Sequence, residues 1–451
     1  TTLFPQCGGT GHPAPSPDAL RALAAQAPET RAALDGDAPC QTLFRRLDQA
    51  AGWTRGSLSP QAVEALYGKK VAMSASRMDQ YQSCHFAYFL RYGLQAKDRR
   101  PAGFDAPAYG SFVHFVLERV LRALRNQGGA AQAEEETIRA LTAQAVEDYV
   151  RQELGGMAHQ TPRFRYLFYR LERSVQAVVD NVVAELRDSD FQPICFELGF
   201  GPGQDLPPVE ITQGGVTLRI SGFVDRVDGW VEDGRLYLRV VDYKTGRKSF
   251  DLTEVWNGLG LQMLLYLFTL EEEGEALFGR RPVPAGVLYL PARDAMVAGS
   301  RTMDEAARRR LLDKELLRRG LILGQEDVVQ SMEYGAGELR FLPLRGSART
   351  GHITGEALVS AQKLGRLNQH IAHTLGQICQ EIARGNIDAD PFWRGPNRNA
   401  CQYCVYAPAC HFEEDTDRCH WVPSVRNREF WDWLAQEEGE GGKDHARTEN
   451  P

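Results

Sequence analysis

Two aspartates and a lysine in the stretch GFVDRVDGWVEDGRLYLRVVDYKTG, residues 222–246, are the side chains of this protein best suited to chemistry. Asp225 falls near the end of one predicted strand, Asp242 near the end of the next, and Lys244 two residues beyond Asp242. In extended chain that spacing turns Asp242 and Lys244 to the same side. Carboxylate oxygens suit a hard cation such as Mg²⁺ or Mn²⁺. A cation held there polarises a phosphate, helps to generate hydroxide and neutralises developing charge. The ammonium group can orient the water, counter charge on phosphoryl oxygens or, with a depressed pKa, act as the base. Metal-dependent phosphodiester hydrolysis is the reaction that needs this set.

Two pairs at helical spacing flank it. His114 and Glu118 lie four apart on a predicted helix over Tyr109–Asn126, and His114 offers a further metal ligand. Gln262 and Tyr266 have the same spacing, share a helix face and could meet one nucleic-acid backbone. A D…DxK pattern alone is common. The ordered set His114, Asp225, Asp242, Lys244, Gln262 and Tyr266 is far more specific.

Nine cysteines are unevenly spread, with Cys401, Cys404, Cys410 and Cys419 crowded into one short segment. Such crowding favours metal binding over a disulfide framework. Four thiolates suit either structural Zn²⁺, locally completed by Cys419 or His420, or a [4Fe–4S] cluster, and the residues leave both open. No GxxxxGK[ST] loop occurs. GGTG at 8–11 and GPG at 201–203 read as turns, so no ATPase centre is expected in this chain.

The pieces GFVDRVD, VVDYKTG and QMLLY (262–266) resemble the RecB-like branch of the PD-(D/E)XK nucleases. The resemblance implies that His114, Asp225, Asp242 and the Tyr243 backbone carbonyl ligate the metal, that Lys244 is the catalytic lysine, and that Gln262 and Tyr266 contact DNA. Glu197 falls at the acidic position of an early core strand, in surroundings that match less closely. SASRMDQYQSCHFAYFLRYGL around Cys84, GNIDADPFW and CQYCVYAPACHF extend the resemblance, over about residues 66–415, to the nuclease region of the AddB family of bacterial helicase–nuclease subunits. That likeness implies a [4Fe–4S] cluster on Cys84, Cys401, Cys404 and Cys410, stapling the nuclease, and leaves Cys419 an ordinary cysteine. It also implies an AddA-like helicase–nuclease partner and cleavage of single strands from broken DNA ends, on the strand that ends 5′ at the break. Two rivals are a Cas4-like or other RecB-family exonuclease, and a noncatalytic DNA-binding scaffold. The long insertions argue against the first, and the acid–lysine set against the second.

The elements that must carry these residues follow from periodicity. Strands are expected at 194–200, 216–227, 236–246 and 286–290, the second and third joined as a hairpin through Asp233 and Gly234. Helices are expected at about 133–154, 164–187, 256–269, 303–319, 360–384 and 428–435, with Ser76 capping an aromatic-rich one. Short helices across 15–66, one capped by Ser16 or Asp18, an acidic turn at Asp35–Asp37 and a disordered tail from Gln436 complete the reading. The expected fold is α/β, a mixed central sheet flanked by helices, forming a PD-(D/E)XK core with helical additions and a cysteine-ligated cluster. Residues 1–70 read as the helical edge of a preceding helicase-like region, 71–420 as the nuclease domain and 421–451 as a tail.

The chain has 451 residues, 43% hydrophobic and 25% charged, with a formal charge of −7. No apolar run approaches the ~20 residues that cross a bilayer, and the N-terminus lacks a secretory signal, so a cytoplasmic protein without a membrane partner is expected. The missing initiator Met points to a piece of a longer polypeptide. The acidic net charge does not favour a generally basic DNA-binding domain. A centre that gathers carboxylates is itself acidic until its cation is counted.

Overall fold

Eight consecutive buried residues, Leu236–Tyr243, mark the middle of the fold, because only a strand covered on both faces hides every side chain. The computed structural model describes residues 29, 32, 38–51, 56–97, 106–158, 160–247, 249–300, 302–334, 339–346, 352–414 and 417–437. Contacts divide the chain into two units, Thr1–Ser57 and Leu58–Pro451. The first holds a helix, Ala38–Ala51, in which the Thr42 hydroxyl donates to the Ala38 carbonyl at 3.0 Å.

The second unit runs through α1 (Pro60–Tyr67), β1 (Lys70–Met73) and α2 (Ala75–Ser83), then α3 (Ala106–Asn126), α4 (Glu135–Gln152) and α5 (Pro162–Arg187). Strands β2 (Gln192–Phe200), β3 (Val209–Gln213), β4 (Val216–Ile220), β5 (Gly222–Glu232) and β6 (Arg235–Lys244) follow. Next come α6 (Leu252–Trp256), α7 (Gln262–Glu273), β7 (Pro282–Pro291), α8 (Glu305–Glu315), β8 (Arg319–Leu323), β9 (Leu358–Val359), α9 (Ala361–Ala383) and α10 (Asn427–Glu437).

The central sheet has the order β9-β8-β7-β6-β5-β2. It is mixed: β6–β7 and β8–β9 run parallel, the other neighbours antiparallel. On one face Val241, Tyr243, Leu290 and Phe196 pack with α3, α4 and α5. On the other, Leu238, Val240 and Val224 pack with α7, α9 and the small sheet β1-β4-β3. Helices thus cover both faces, as the sequence leads one to expect. The β5–β6 turn places Asp233 (φ 48°) and Gly234 (φ 74°) in the left-handed region, the two-residue hairpin geometry that matches strand twist.

Four local expectations are revised by tertiary contacts. The single strand 216–227 is two strands in two sheets, β4 and β5, divided at Ser221. Gly222 permits this because a Cβ there would lie 2.5 Å from the Tyr266 hydroxyl. The helix foreseen at 256–269 is α6 and α7, interrupted where Gly258 (φ 75°) and Gly260 (φ 66°) turn the chain. The charged segment 303–319 ends its helix at Glu315, because Arg318 is pulled inward to Glu185 at 2.9 Å and Arg319 begins β8. Ser74, not Ser76, caps α2, its hydroxyl accepting from the Arg77 N–H at 3.4 Å. The candidate caps Ser16 and Asp18, the Asp35–Asp37 turn and the tail beyond Glu437 lie outside the described residues. No described helix is long and apolar enough to cross a membrane.

Candidate metal centre

Helix α3 buries Val113, Val116, Leu117 and Val120 against the sheet, and this packing fixes where His114 points. Its Nε2 lies 3.1 Å from the Tyr243 carbonyl oxygen and its Nδ1 3.5 Å from Asp225 Oδ1. A carbonyl can only accept, so Nε2 carries a proton, and the Nδ1 edge of the ring is the one turned toward the carboxylates.

Strands β2, β5 and β6 bring the acids to that point. The last β5–β6 pair is Arg226 with Val241, and just past it Asp225 Oδ2 accepts the Tyr243 backbone N–H at 2.7 Å. Phe196 and Leu198 pair with Arg226 and Val224, which sets Glu197 across from Asp225. Glu197 adopts φ 47°, a conformation costly for a residue with a Cβ and concentrated at functional sites. Ligand atoms of His114, Glu197 and Asp225 all lie within 4.8 Å of one another. Asp242, 4% exposed, forms an ion pair through Oδ2 with Lys244 Nζ. Lys244 also lies over the Tyr289 ring at 5.5 Å.

The electrostatics are those of several carboxylates crowded around one lysine. Burial and the neighbouring Asp225 push Glu197 up to about 7, against the pull of His114. Burial and Asp225 also push Asp242 up to about 6, although Lys244 opposes the shift. For His114, burial acts to lower the pKa, but its contacts with Asp225 prevail and raise it. One divalent ion would relieve these strains together, and its donors are the hard oxygen and imidazole set that Mg²⁺ or Mn²⁺ accepts. The residues present therefore fit such an ion.

The pair on α7 is arranged differently from the expectation of two DNA-facing side chains. Tyr266 is buried, its ring edge-on to Phe200 at 4.8 Å and its hydroxyl accepting from the Gln262 amide at 3.1 Å. Burial, with Asp242 and Asp225 adding, pushes that hydroxyl up to about 12. Gln262 is the half-buried, reachable member.

Sequence reasoning missed the layer beneath. Glu185 of α5 meets Arg318, Arg239 and Arg226 at 2.9, 3.4 and 3.7 Å, and Asp228 meets Arg226 and Arg239 at 2.8 Å each. All five are essentially fully buried. Arg226 also covers the Tyr243 ring at 5.7 Å, so this network underlies the paired strands β5 and β6 that carry Asp225 and Tyr243. A signal existed in the sequence: Arg226 and Asp228 share a strand face, and Asp228 sits in register with Arg239.

The expected [4Fe–4S] cofactor, and with it the cysteine-ligated part of the fold class, is corrected. Cys84, Cys401, Cys404 and Cys410 do line one cavity with Phe86 and Phe412. Among the described residues, however, the convergent metal-ligand group is His114, Glu197 and Asp225, and no three thiols approach within the same 4.8 Å. Burial pushes the Cys84 thiol up to about 12 and the Cys401 thiol up to about 11. Carboxylates and imidazole, not sulfur, make the metal-ligand group.

The chain is 33% identical over 391 residues to the B subunit of the ATP-dependent helicase/deoxyribonuclease of Desulforudis audaxviator, covering 85% of this chain and 34% of the relative. It is 30% identical over 385 residues to the counterpart of the same name from Clostridium novyi, covering 84% and 34%. A third, from Anoxybacillus flavithermus, is 33% identical over 384 residues, covering 83% and 33%. The chain thus spans about a third of the length of the curated relatives it matches. The model of the PD-(D/E)XK nuclease superfamily matches residues 72–411, a span that holds His114, Glu197, Asp225, Asp242 and Lys244, and the chain belongs to that superfamily.

Proposed function

We propose that residues 71–420 form a nuclease domain that hydrolyses single-stranded DNA with Mg²⁺ or Mn²⁺. The observation that carries this reading is the convergence of His114, Glu197 and Asp225 beside the Asp242–Lys244 pair. His114, Glu197, Asp225 and Asp242, with the second lone pair of the Tyr243 carbonyl, would hold the cation. When bound, it would polarise the phosphate and acidify a water. His114 is kept in its ligating tautomer by the Tyr243 carbonyl, an arrangement typical of metal-bound imidazoles. With Asp242 holding a cation, the Lys244 ammonium beside it would be available to hold a phosphoryl oxygen or the attacking water. Gln262 contacts the DNA backbone, and Tyr266 positions it.

The relatives' name joins a helicase to a deoxyribonuclease. We therefore read this chain as the nuclease portion of an AddB-like protein, working with an AddA-like helicase–nuclease partner on broken DNA ends and cutting the strand that ends 5′ at the break. Strands labelled at either end, incubated with the assembled complex with and without Mg²⁺ or Mn²⁺, test the reaction and its polarity. Cleavage that persists undiminished after Asp242→Ala would sink the assignment of the centre. Loss of the wrong strand's label would sink the polarity.

A further inference from the structure

Helix α5 changes character along its length. From Val175 to Leu186 it buries a valine-rich stripe against the sheet. In its first turns only Phe168 is buried, while Tyr166, Leu167 and Tyr169 are 64%, 46% and 59% exposed. Three large apolar side chains within four positions are held open to solvent where a helix would ordinarily show charge. Arg163 and Arg170 flank Tyr166 at helical spacing, and Arg173 continues beyond Tyr169. All three are exposed, and none is ion-paired among the described residues. The one acid among residues 162–179 of the helix, Glu172, is half-buried. In a chain with a formal charge of −7, this face is cationic and aromatic at once.

Its position links it to the metal centre. Phe168, on the opposite face of the same turn, packs on Phe112 at 5.1 Å, two residues before His114. Ser174 hydrogen-bonds the Tyr109 hydroxyl at 3.1 Å, and the neighbouring Gly110 faces Thr245, which follows Lys244, at 3.8 Å from its notional Cβ. The inward side of α5 at these turns therefore packs on the part of α3 that leads to His114 and lies against the segment following Lys244 at the end of β6.

We propose that this face, Arg163, Tyr166, Leu167, Tyr169, Arg170 and Arg173, is a track for single-stranded DNA leading to or from the metal centre. The proposal rests on the nuclease reading for its direction, but not for its binding chemistry. Arginines spaced along a helix complement phosphates, and exposed tyrosines offer ring faces on which unpaired bases stack regardless of sequence. A duplex would hide its bases from these rings, so the preference is for single strands.

Two double variants of the whole chain test it: Tyr166→Ala with Tyr169→Ala, and Arg163→Ala with Arg170→Ala. Binding of a fluorescent oligo-dT is measured without divalent metal, across a salt series, alongside unfolding curves that confirm folding. The tyrosine variant, which removes two stacking rings, should lose on the order of 30-fold or more in affinity with the salt slope unchanged. The arginine variant should reduce that slope by about 1.4, the value for two single-strand phosphate contacts. Wild-type-like binding by both folded variants overturns the proposal, as does failure of the wild type to bind. If they keep DNA affinity but lose a helicase partner, the face is a protein interface and the proposal is also overturned. Hydrolysis of bis(p-nitrophenyl) phosphate with Mn²⁺ separates the two readings. That small substrate needs the centre and not the track, so its failure condemns the nuclease reading alone.

Discussion

The Asp225 carboxylate accepts the backbone N–H of Tyr243 at 2.7 Å, directly past the last β5–β6 pair. One oxygen thus closes the end of the sheet while the other faces His114. The residue has a structural and a chemical duty that substitution can separate. Asp225→Asn keeps an acceptor for the N–H and removes the charge. It should fold with stability within ~1 kcal/mol of wild type and lose metal-dependent cleavage by on the order of 10²-fold or more. Asp225→Ala should lose the same activity and a further ~1–3 kcal/mol of stability, because the N–H is left unsatisfied. Paired denaturation and cleavage assays check both.

Glu197 carries a raised pKa, about 7, and left-handed backbone at φ 47°. Glycine accepts that backbone and brings no half-buried carboxylate. Glu197→Gly should therefore be more stable than wild type by about 1 kcal/mol at pH 8, yet bind Mn²⁺ more weakly and cleave more slowly. A variant that is both less stable and fully active would contradict the role given to this residue.

The pH dependence follows from sign. Glu197 and Asp242 have folded pKa values raised to about 7 and about 6, so the metal-free folded state holds protons that the unfolded chain has released. Their contribution to metal-free stability falls as pH rises through about 4 to 7. A cation competes with those same protons. The rise in melting temperature on adding Mn²⁺ should be small at pH 5.5 and reach its full size above pH 7.5, and scanning fluorimetry over that range measures it.

The buried network has three arginines, Arg226, Arg239 and Arg318, for two carboxylates, Glu185 and Asp228. Glu185→Gln strips its central anion, leaving Arg318 without its carboxylate and Asp228 to face Arg226 and Arg239 alone. A loss of about 3–5 kcal/mol is expected, independent of added metal, in chemical denaturation. A near-neutral result would show that water or rearrangement can replace the carboxylate.

Tyr266 and Gln262 should act as one unit. Tyr266→Phe keeps the ring on Phe200 and removes only the hydroxyl that Gln262 reaches. The two single variants and the double variant should lose similar amounts of single-strand cleavage. Additive losses in that cycle would mean independent roles.

How much of this was legible beforehand depended on the range of the interaction. Asp242 and Lys244 are two residues apart on one strand, and the Asp233–Gly234 turn sets β5 against β6, so local geometry alone brings Asp225 near Asp242. Periodicity likewise reveals α3, α5 and α9. The split of 216–227, the interrupted helix at Gly258–Gly260 and the strand at 319–323 escape a local reading, because partners distant in sequence dictate them.

The amino-acid sequence by itself determined the chemistry: hard acids, a lysine and a histidine at spacings that regular strands and helices turn toward one place. Tertiary structure alone decided which of them meet. It brought Glu197 across from Asp225 and drew Arg318 under the site. It turned Tyr266 inward and left the cysteines outside the convergent ligand group. The physical reason is that strand pairing and burial set the distance between residues far apart in the chain, and a ligand set or an ion pair exists only at a distance.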